Sequence, residues 1–318
     1  MTRWLWLPAV LLAIGGCAVP HDDDGERGAS FGAASESSPK DPDATPIVFD
    51  TDLAGDDLAA LAFLLRRPDV SVEAVTIAGT GLVGCDPGVD LVANLVMALD
   101  ESPVLVSCGR ENGAREWPQE WVDQAEAGTG VPPSEYTFRA TSQRAPQLIA
   151  QLADEHPGEL AVVAVGPLTN LADLADQWPE SYARLAGIQV MGGAIDVPDV
   201  DGVAEWNAAA DPAAFAAVLA DDAVPVTIVP DDAIPSGTPK GLDAPVVGAI
   251  SAVYAPPKWW DLSTSAAFVT PDAITSSSTG TWEVDESGRM RRTGDGPVVV
   301  VTALDRAALE AAFEQTFG

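Results

Sequence analysis

Short apolar runs alternate with helix-like segments from residue 45 onward, and this alternation restricts the fold more than any other feature of the chain. The runs are apolar throughout and rich in β-branched residues, which is typical of parallel strands buried on both faces. We predict strands at residues 46–49, 72–77, 104–106, 160–165, 188–191, 224–229 and 298–302. The later segment 283–292 predicts a hairpin that turns at Glu286-Ser287-Gly288.

Helical periodicity fills the intervals between these strands. We predict helices at residues 56–66, 87–99, 141–155, 168–176, 211–220, 244–254 and 305–317. In the first helix, Leu58, Leu61, Ala62 and Leu65 follow the i, i+3, i+4, i+7 spacing of a core-facing side. This β–α alternation predicts an α/β fold, with a doubly wound, mostly parallel sheet flanked by helices. Residues 45–318 are sufficient for a single domain of this kind.

The N-terminal residues 1–16 have the pattern of a bacterial lipoprotein signal peptide. Their apolar stretch follows one Arg and is too short to span a bilayer as a mature helix. Ile14-Gly15-Gly16-Cys17 resembles a lipobox, which predicts lipidation of Cys17; a plain secretory signal that happens to contain Cys is the alternative. Residues 17–44 are acidic and rich in Gly, Ser and Pro, which predicts a flexible tether. We therefore expect a protein of the bacterial cell envelope, lipid-anchored to the membrane and facing outside the cytoplasm.

Two further cysteines, Cys85 and Cys108, follow the tether. An even number of cysteines in an oxidising compartment is compatible with a disulfide. Cys108 also ends the apolar run PVLVSC, so two small buried thiols are the alternative. The sequence leaves both interpretations open.

The chain is strongly acidic, with 48 Asp and Glu residues, 16 Lys and Arg residues and a formal net charge of −32. Nucleic acids and anionic membrane surfaces are bound through Lys and Arg, so this balance excludes both as partners of the folded domain. We expect contact with a membrane only through the N-terminal lipid. We expect a small-molecule substrate, and the sequence leaves open whether the chain forms a homo-oligomer.

Four carboxylates follow the first predicted strand within the eight residues DTDLAGDD. Asp50 and Asp52 are two residues apart, so they share one face at the carboxyl end of that strand. Asp56 and Asp57 begin the first helix, whose N-terminal dipole favours negative charge. A single Asp at such a position is usually a cap, but four exceed any capping requirement. We therefore predict a bound hard cation, Ca²⁺ or Mg²⁺, with Ca²⁺ favoured by irregular or bidentate coordination.

The same segment resembles the D-T-D-P-G-x-D-D signature of the inosine–uridine-preferring nucleoside hydrolase family, and it departs from that signature at Leu53 and Ala54. Four more blocks follow in the family's order: Gly166-Pro167-Leu168-Thr169-Asn170, Met191-Gly192-Gly193-Ala194, Glu205-Trp206-Asn207 with Asp211-Pro212, and Trp260-Asp261. One block alone would be weak, but five in order are strong. The resemblance implies the family's fold and Ca²⁺-dependent hydrolysis of the N-glycosidic bond of ribonucleosides to free base and ribose, for nucleoside salvage.

The resemblance also implies a metal site. Asp52, Asp57 and Asp261 would ligate Ca²⁺ through their carboxylates, and Thr169 would do so through its main-chain carbonyl. Asp52 matches the general base that activates a water held by the metal. Carboxylates around the anomeric carbon would stabilise the positive charge that grows on the sugar in an oxocarbenium-like transition state. A helix cap after two tryptophans is the alternative interpretation of Asp261.

The predicted substrate-binding residues are also carried over from the family. Asp56 matches a residue that binds ribose hydroxyls, and Glu205 and Asn207 match residues that hold the 5′ end of the ribose, with Trp206 between them. Thr80 stands where the family commonly has Asn, so a hydroxyl replaces an amide. Outside the resemblance, Glu205 and Asn207 would be interpreted as solvated.

The largest difference from the family lies at the residue that helps the base to leave. Many members have a His directly before the last metal-binding Asp, and this chain has Trp260 there. The histidines of this chain are His21, in the predicted tether, and His156, at a helix end, and neither is a plausible acid. We therefore assign Trp260 to catalysis: its indole would stack on the base and stabilise the protonated heterocycle. Asp232 or water would deliver the proton.

Two other functions compete with the hydrolase. A catalytically weak nucleoside- or sugar-binding lipoprotein would explain the missing His and Asn, although the retained Asp52 counts against it. A phosphohydrolase with Asp50 as nucleophile is less favoured, because it needs a phosphate-neutralising Lys and the chain has only Lys40, Lys240 and Lys258.

Overall fold

The structure is a computed structural model that describes residues 39–127, 130–135 and 138–318. The strands are β1 (Thr45–Thr51), β2 (Val70–Ile77), β3 (Leu105–Cys108), β4 (Ala161–Ala164), β5 (Gly187–Met191), β6 (Val226–Val229), β7 (Ile274–Val284) and β8 (Met290–Leu304). The α-helices are α1 (Gly55–Arg66), α2 (Cys85–Ala98), α3 (Gln119–Ala127), α4 (Ala145–Glu155), α5 (Thr169–Gln177), α6 (Pro179–Tyr182), α7 (Trp206–Ala210), α8 (Pro212–Ala220), α9 (Pro245–Val253), α10 (Trp260–Val269) and α11 (Arg306–Phe317). The predicted signal peptide, Cys17, His21 and most of the predicted tether lie outside the described residues.

The strands form one sheet in the order β3-β2-β1-β4-β5-β6-β8-β7. Neighbouring strands are parallel, except that β7 runs antiparallel to β8 at one edge. This confirms the predicted doubly wound, mostly parallel sheet. β1 lies between β2 and β4, so the direction of winding reverses at β1. Open α/β sheets bind ligands in the crevice that such a reversal leaves at the carboxyl ends of the strands.

Helices cover both faces of the sheet, and the side chains of β1 alternate between the two layers. Ile47 and Phe49 belong to the apolar layer that contains α1, α2 and α10. Val48 belongs to the opposite layer, with α4, α5 and α8. All three side chains are fully buried. A strand that is buried on both faces is apolar at successive positions, which explains the continuous apolar runs in the sequence.

All the predicted helices form, with their ends within four residues of the predicted positions. The prediction missed α3, α6, α7 and α10. α3 buries none of its residues and α7 has only five, so neither shows an apolar stripe. α10 buries Ser263, Thr264 and Ser265, and these polar residues obscure its periodicity.

The predicted hairpin turn lies between β7 and β8. The two strands are 11 and 15 residues long and extend well beyond the predicted hairpin. β7 is an edge strand whose Ser and Thr side chains are mostly exposed, so a search for apolar runs does not detect it.

Cys85 and Cys108 form a disulfide, one of the two alternatives that the sequence left open. Cys85 begins α2 and Cys108 ends β3, and their Cα atoms are 5.7 Å apart. The bond joins α2 to the sheet at its carboxyl edge. Among the helices of the described residues, none combines the length and the apolar character needed to cross a bilayer.

Candidate active site

The main chain that leaves β1 fixes the carboxylate of Asp57. Thr51 Oγ1 donates a hydrogen bond to Asp57 Oδ1 at 2.5 Å. The main-chain N–H groups of Asp52 and Leu53 donate to the same oxygen, each at 3.2 Å. Leu53 has a φ of 64°, in the left-handed region. A Pro, which the resembling signature has here, cannot adopt that φ, so the departure at Leu53 goes with a different backbone.

Three buried carboxylates, those of Asp56, Asp57 and Asp261, meet at this edge of the sheet. One oxygen from each lies within 4.8 Å of the others. Asp56 accepts from Tyr254 Oη at 2.8 Å and from the Asp261 main-chain N–H at 3.3 Å. Asp57 Oδ2 and Asp261 Oδ1 are buried and have no hydrogen-bond partner among the described residues. Buried oxygens without a partner are costly unless a ligand binds them.

Burial and repulsion between carboxylates raise the pKa values of Asp52, Asp57 and Asp261. Burial, followed by the charge of Asp56, raises the pKa of Asp57 to about 6. Burial and the neighbouring carboxylates also raise the pKa values of Asp52 and Asp261. The ion pairs among the described residues include none of these four carboxylates. A divalent cation would supply the missing positive charge, and an all-oxygen donor set suits a hard ion.

Asp52 lies beside these three residues but is not one of them. It is buried, lines the same cavity and accepts from the main-chain N–H of Leu82 at 3.1 Å. The loop that follows β4 packs against it, since a Cβ at Gly166 would lie 2.9 Å from Asp52 N. This loop leads to Thr169 at the start of α5. The sheet edge therefore brings the carboxylates of Asp52, Asp57 and Asp261 to one cavity, with Asp56 rather than Asp52 in the tightest group.

Thr80 and Thr169 are tied to each other instead of facing the cavity. Their Oγ1 atoms are 2.7 Å apart, and Thr169 Oγ1 donates to Asp211 Oδ2 at 3.0 Å. Arg110 pairs with the same Asp211 oxygen at 2.6 Å. Both threonines are buried and neither lines the cavity. The structure therefore does not place the predicted substrate-binding hydroxyl of Thr80 at the cavity surface.

Asp50 lies deeper than the other carboxylates and does not line the cavity. Its side chain is fully buried, and its Oδ1 accepts from Thr76 Oγ1 at 2.6 Å and from Asn170 Nδ2 at 2.7 Å. Burial raises its pKa to about 7. A nucleophile must reach its substrate, so this position contradicts the phosphohydrolase reading and gives Asp50 a structural role.

Glu205 and Asn207 line the cavity at the start of α7. Glu205 is the N-cap: its carboxylate accepts from the main-chain N–H groups of Asn207 and Ala208, each at 2.8 Å. It also accepts from Gly193 N at 2.7 Å, in the predicted MGGA block. Asn207 Nδ2 donates to the main-chain oxygen of Val165 at 2.8 Å. These bonds hold both side chains in fixed positions next to the carboxylates.

The cavity has a volume of about 420 Å³ and two chemically different ends. The carboxylates of Asp52, Asp56, Asp57 and Asp261 form one end. Four tryptophans line the rest together with small apolar residues: Trp117, Trp121, Trp206 and Trp260. The ring of Trp206 stacks on Trp117 with centroids 5.1 Å apart and meets Trp121 edge-on at 5.0 Å. A flat aromatic group of a ligand fits this end, and a polyhydroxylated group fits the other.

Among the aromatic and acidic residues of the cavity, the sequence analysis missed Trp117, Trp121, Tyr254 and Asp231. Trp121 lies on α3 and Trp117 precedes that helix, and neither adjoins one of the motif blocks found in the sequence. Asp231 follows β6 at the carboxyl edge of the sheet, as does Asp232. Asp232 accepts from the main-chain N–H groups of Ile195 and Asp196 and does not line the cavity. The predicted proton donor Asp232 therefore lies away from the cavity, whereas Asp231 lines it and bonds to Trp260 at the tryptophan end.

His156 cannot replace the missing histidine. It caps the C-terminus of α4, and α4 leads into the amino end of β4. The carboxylates lie at the opposite, carboxyl edge of the sheet. Among the described residues, the acid for the leaving base is therefore not a histidine.

Comparison with known protein sequences adds a family and several relatives. A family model described as inosine-uridine preferring nucleoside hydrolase matches residues 47–309. The pyrimidine-specific ribonucleoside hydrolase RihA of Salmonella arizonae is 31% identical over 185 residues, which are 58% of this chain and 59% of that protein. RihA of Citrobacter koseri is 30% identical over 185 residues, again 58% and 59% of the two chains. The matched part thus spans less than two thirds of the length of these relatives.

Solved structures match over a longer range. The crystal structure of an inosine-uridine preferring nucleoside hydrolase from Bacillus anthracis has a TM-score of 0.75 at 21% identity and covers 86% of this chain and 98% of that chain. A purine-preferring ribonucleoside hydrolase from Gardnerella vaginalis has a TM-score of 0.72 at 18% identity, with the same coverage. At these identities the likeness shows the fold, and it confirms the predicted fold class.

Proposed function

Because the chain belongs to the inosine-uridine preferring nucleoside hydrolase family, we propose that it hydrolyses the N-glycosidic bond of ribonucleosides and releases free base and ribose. The observation that carries this proposal is the single cavity with buried carboxylates at one end and tryptophans at the other. The hydroxyls of a ribose suit the first end, and a nucleobase suits the second. The named activities of the relatives agree with this reaction class and differ in the base that they prefer.

We further propose that the carboxylate end holds Ca²⁺. Asp57 and Asp261 each offer a buried oxygen without a partner, and Asp52 and the main-chain carbonyl of Thr169 would complete the site. The bound ion would add positive charge next to ribose hydroxyls and make a nearby water more acidic. Asp56 is held by Tyr254 and by the Asp261 N–H, which leaves it as a fixed acceptor for a ribose hydroxyl.

The chain's own residues account for the remaining steps. Asp52, which is buried and lines the cavity beside the proposed ion, would accept the proton of the attacking water. The surrounding carboxylates stabilise the positive charge that develops on the sugar ring. Glu205 and Asn207, fixed by α7, would position the 5′ end of the ribose. Trp260 and Trp206 would hold the base, and Trp260 would stabilise it as it leaves.

A nucleoside panel tests the reaction. The full-length protein is incubated with inosine, adenosine, guanosine, uridine and cytidine, with Ca²⁺ or after chelation, and free base and ribose are quantified. We expect release of both products from at least one nucleoside, and loss of release after chelation. The variant Asp52→Asn should be inactive, whereas Asp154→Asn, in an exposed ion pair with Arg184, should match the wild type. Release by Asp52→Asn at the wild-type rate would contradict the proposal.

A catalytically weak binding protein is the second candidate, because Trp260 replaces the family's His and the Thr80 hydroxyl bonds to Thr169. Both functions predict that nucleosides stabilise the protein against heat, since a ligand that binds only the native state raises its stability. Only the hydrolase predicts product release. Stabilisation by every nucleoside without any release would favour the binding protein.

We also propose that Cys17 is lipidated and anchors the protein to the bacterial cell envelope, outside the cytoplasm. The disulfide between Cys85 and Cys108 supports an oxidising compartment. Cys17→Ser should move the protein from the membrane fraction to the soluble fraction, because the lipid is the predicted anchor. Membrane retention of this variant would argue against lipidation at Cys17.

A further inference from the structure

Trp260 has open space on two sides. It lines the candidate active site and also a neighbouring, mostly apolar cavity of about 380 Å³. The half-buried indole packs against parts of two apolar clusters, and its remaining surface faces the two cavities. Apolar packing does not orient the indole N–H, so a directional interaction is needed to fix the direction in which this edge of the ring points.

Asp231 supplies that interaction. Trp260 Nε1 donates to Asp231 Oδ1 at 2.5 Å, a charge-assisted bond of the shorter and stronger kind. Asp231 begins a short 3-10 helix directly after β6, so its carboxylate is attached to the rigid edge of the sheet. Asp231 also lines the active-site cavity and not the neighbouring one. The hydrogen bond thus holds the indole from the active-site side.

Lys258 holds Asp231 in turn. Its Nζ donates to Asp231 Oδ1 at 2.9 Å and to the Asp231 main-chain oxygen at 2.7 Å. Both side chains are only 18% exposed, so solvent screens the pair little. The segment that carries Lys258 is fixed by a bridge between Ser236 and Lys258 and by the bond from Gly237 N to Pro257 O at 2.6 Å. Two donors on one carboxylate oxygen make a linked, mutually polarising arrangement.

We propose that Asp231, held by Lys258, is a positioning residue that keeps the Trp260 indole in the active site against the nucleobase. This inference rests on the proposed hydrolase function. A carboxylate that accepts the indole N–H also adds electron density to the ring. That strengthens the attraction of its face for a base that gains positive charge as it leaves. Asp231 thus acts through Trp260 and is distinct from a group that transfers the proton.

The first test observes the indole directly. In ¹⁵N-labelled protein, the Trp260 indole N–H signal is assigned by its loss in Trp260→Phe. Asp231→Ala should shift this signal upfield and speed its exchange with solvent, and Lys258→Met should shift it less. Asp232→Ala is the matched control, because Asp232 bonds to other main-chain groups, and it should leave the signal in place. An unchanged Trp260 signal in folded Asp231→Ala overturns the proposal whether or not the protein cleaves nucleosides.

The second test is a double-mutant cycle. Asp231→Ala should lower kcat for nucleoside cleavage about tenfold, the scale of losing one hydrogen bond to a charged group, with a smaller change in KM. In the Trp260→Phe background, which lacks the indole N–H, the same substitution should change kcat less than about twofold. An undiminished loss in that background would mean that Asp231 acts on the substrate directly. If the wild type cleaves no nucleoside, the proposed function fails, and the indole signal still decides the positioning role.

Discussion

The two ends of the cavity are built in different ways. The carboxylate end uses Asp52, Asp56 and Asp57, which are close in sequence, at the junction of β1 and α1. The tryptophan end uses side chains from distant segments, including Trp117 before α3, Trp206 at the start of α7 and Trp260 at the start of α10. The first end thus takes three of its carboxylates from one strand–helix junction and Asp261 from the distant α10, whereas the other end depends on several separate segments brought together by the whole fold.

This difference has a physical consequence. The carboxylate end is held by bonds to the main chain, such as those from Asp52 and Leu53 to Asp57. The tryptophan end is held by side-chain contacts, such as the stacking of Trp117 on Trp206 and the bond from Trp260 to Asp231. Single substitutions should therefore affect chemistry and metal binding at the first end, and base preference and base departure at the second.

The largest expected effect is at the carboxylate end. Asp52→Asn removes the proposed general base while keeping its size, and loss of a positioned base lowers rates by about 10²–10⁴-fold. We expect kcat for ribose release to fall by this factor, with a much smaller change in KM. Asp69→Asn, in a pair with Arg67 outside the cavity, is the control. If kcat of Asp52→Asn falls by less than about tenfold, the assignment of the chemical step to this end of the cavity is wrong.

The next largest effect is on thermal stability: removal of the metal should distinguish variants at the two ends of the cavity. A ligand at about 100 times its Kd stabilises the native state by about 2.7 kcal/mol, so chelation should lower Tm by about 5 °C and Ca²⁺ should restore it. Asp57→Ala should abolish this response, because Asp57 offers an unpartnered buried oxygen. Asp231→Ala, at the other end, should keep it. A wild-type Tm that changes neither with chelator nor with Ca²⁺ would disprove the metal site.

A third prediction concerns Asp50, below the carboxylate end. Burial raises its folded-state pKa from 3.8 to about 7, so the native state favours the protonated form. Its contribution to stability is present at low pH and is lost as pH rises from about 4 to about 7. Asn cannot ionise, so its stability does not carry this pH dependence. The free energy of unfolding of Asp50→Asn, relative to that of the wild type, should therefore rise by about 2 kcal/mol from pH 5 to pH 8. Chemical denaturation at the two pH values measures this, and a constant difference would contradict it.

The sequence analysis succeeded where local pattern determines structure. Apolar runs located the parallel strands, and the cluster at Asp50–Asp57 lies where strand alternation and the helix dipole predicted it. It failed where position depends on tertiary contacts. Thr80 matches a family position, but its hydroxyl bonds to Thr169. Asp231 and Asp232 are adjacent and chemically identical, and only the path of the chain after β6 decides which one faces the cavity.

The same reasoning explains why the sequence analysis identified two of the cavity tryptophans and missed the other two. Trp206 and Trp260 were identified because they adjoin family motifs, whereas Trp117 and Trp121 lie in a segment with no motif. α3 buries none of its residues, so hydrophobic periodicity gave no signal for that helix. Residues that line an open cavity are partly exposed by necessity, and their pattern therefore differs from that of a core helix.

The smallest expected effect tests how the base departs at the tryptophan end. Stacking of an indole on a base that gains positive charge stabilises it by roughly 0.5–2 kcal/mol, which corresponds to about a 2- to 30-fold change in rate. A nitrophenyl riboside releases nitrophenolate, which is a stable anion, so its cleavage needs no protonated leaving group. Trp260→Ala should therefore slow cleavage of nucleosides more than cleavage of the nitrophenyl riboside, by that factor.

Stability must be measured in parallel, because removal of a large aromatic side chain can cost about 3–5 kcal/mol through packing alone. Trp121→Ala is a suitable control, since Trp121 lines both cavities but makes no hydrogen bond to Asp231. This substitution should slow cleavage of both substrates to a similar degree. Equal losses on both substrates in folded Trp260→Ala would assign Trp260 to binding alone, and the two ends of the cavity would then differ in what they hold but not in their part in the chemistry.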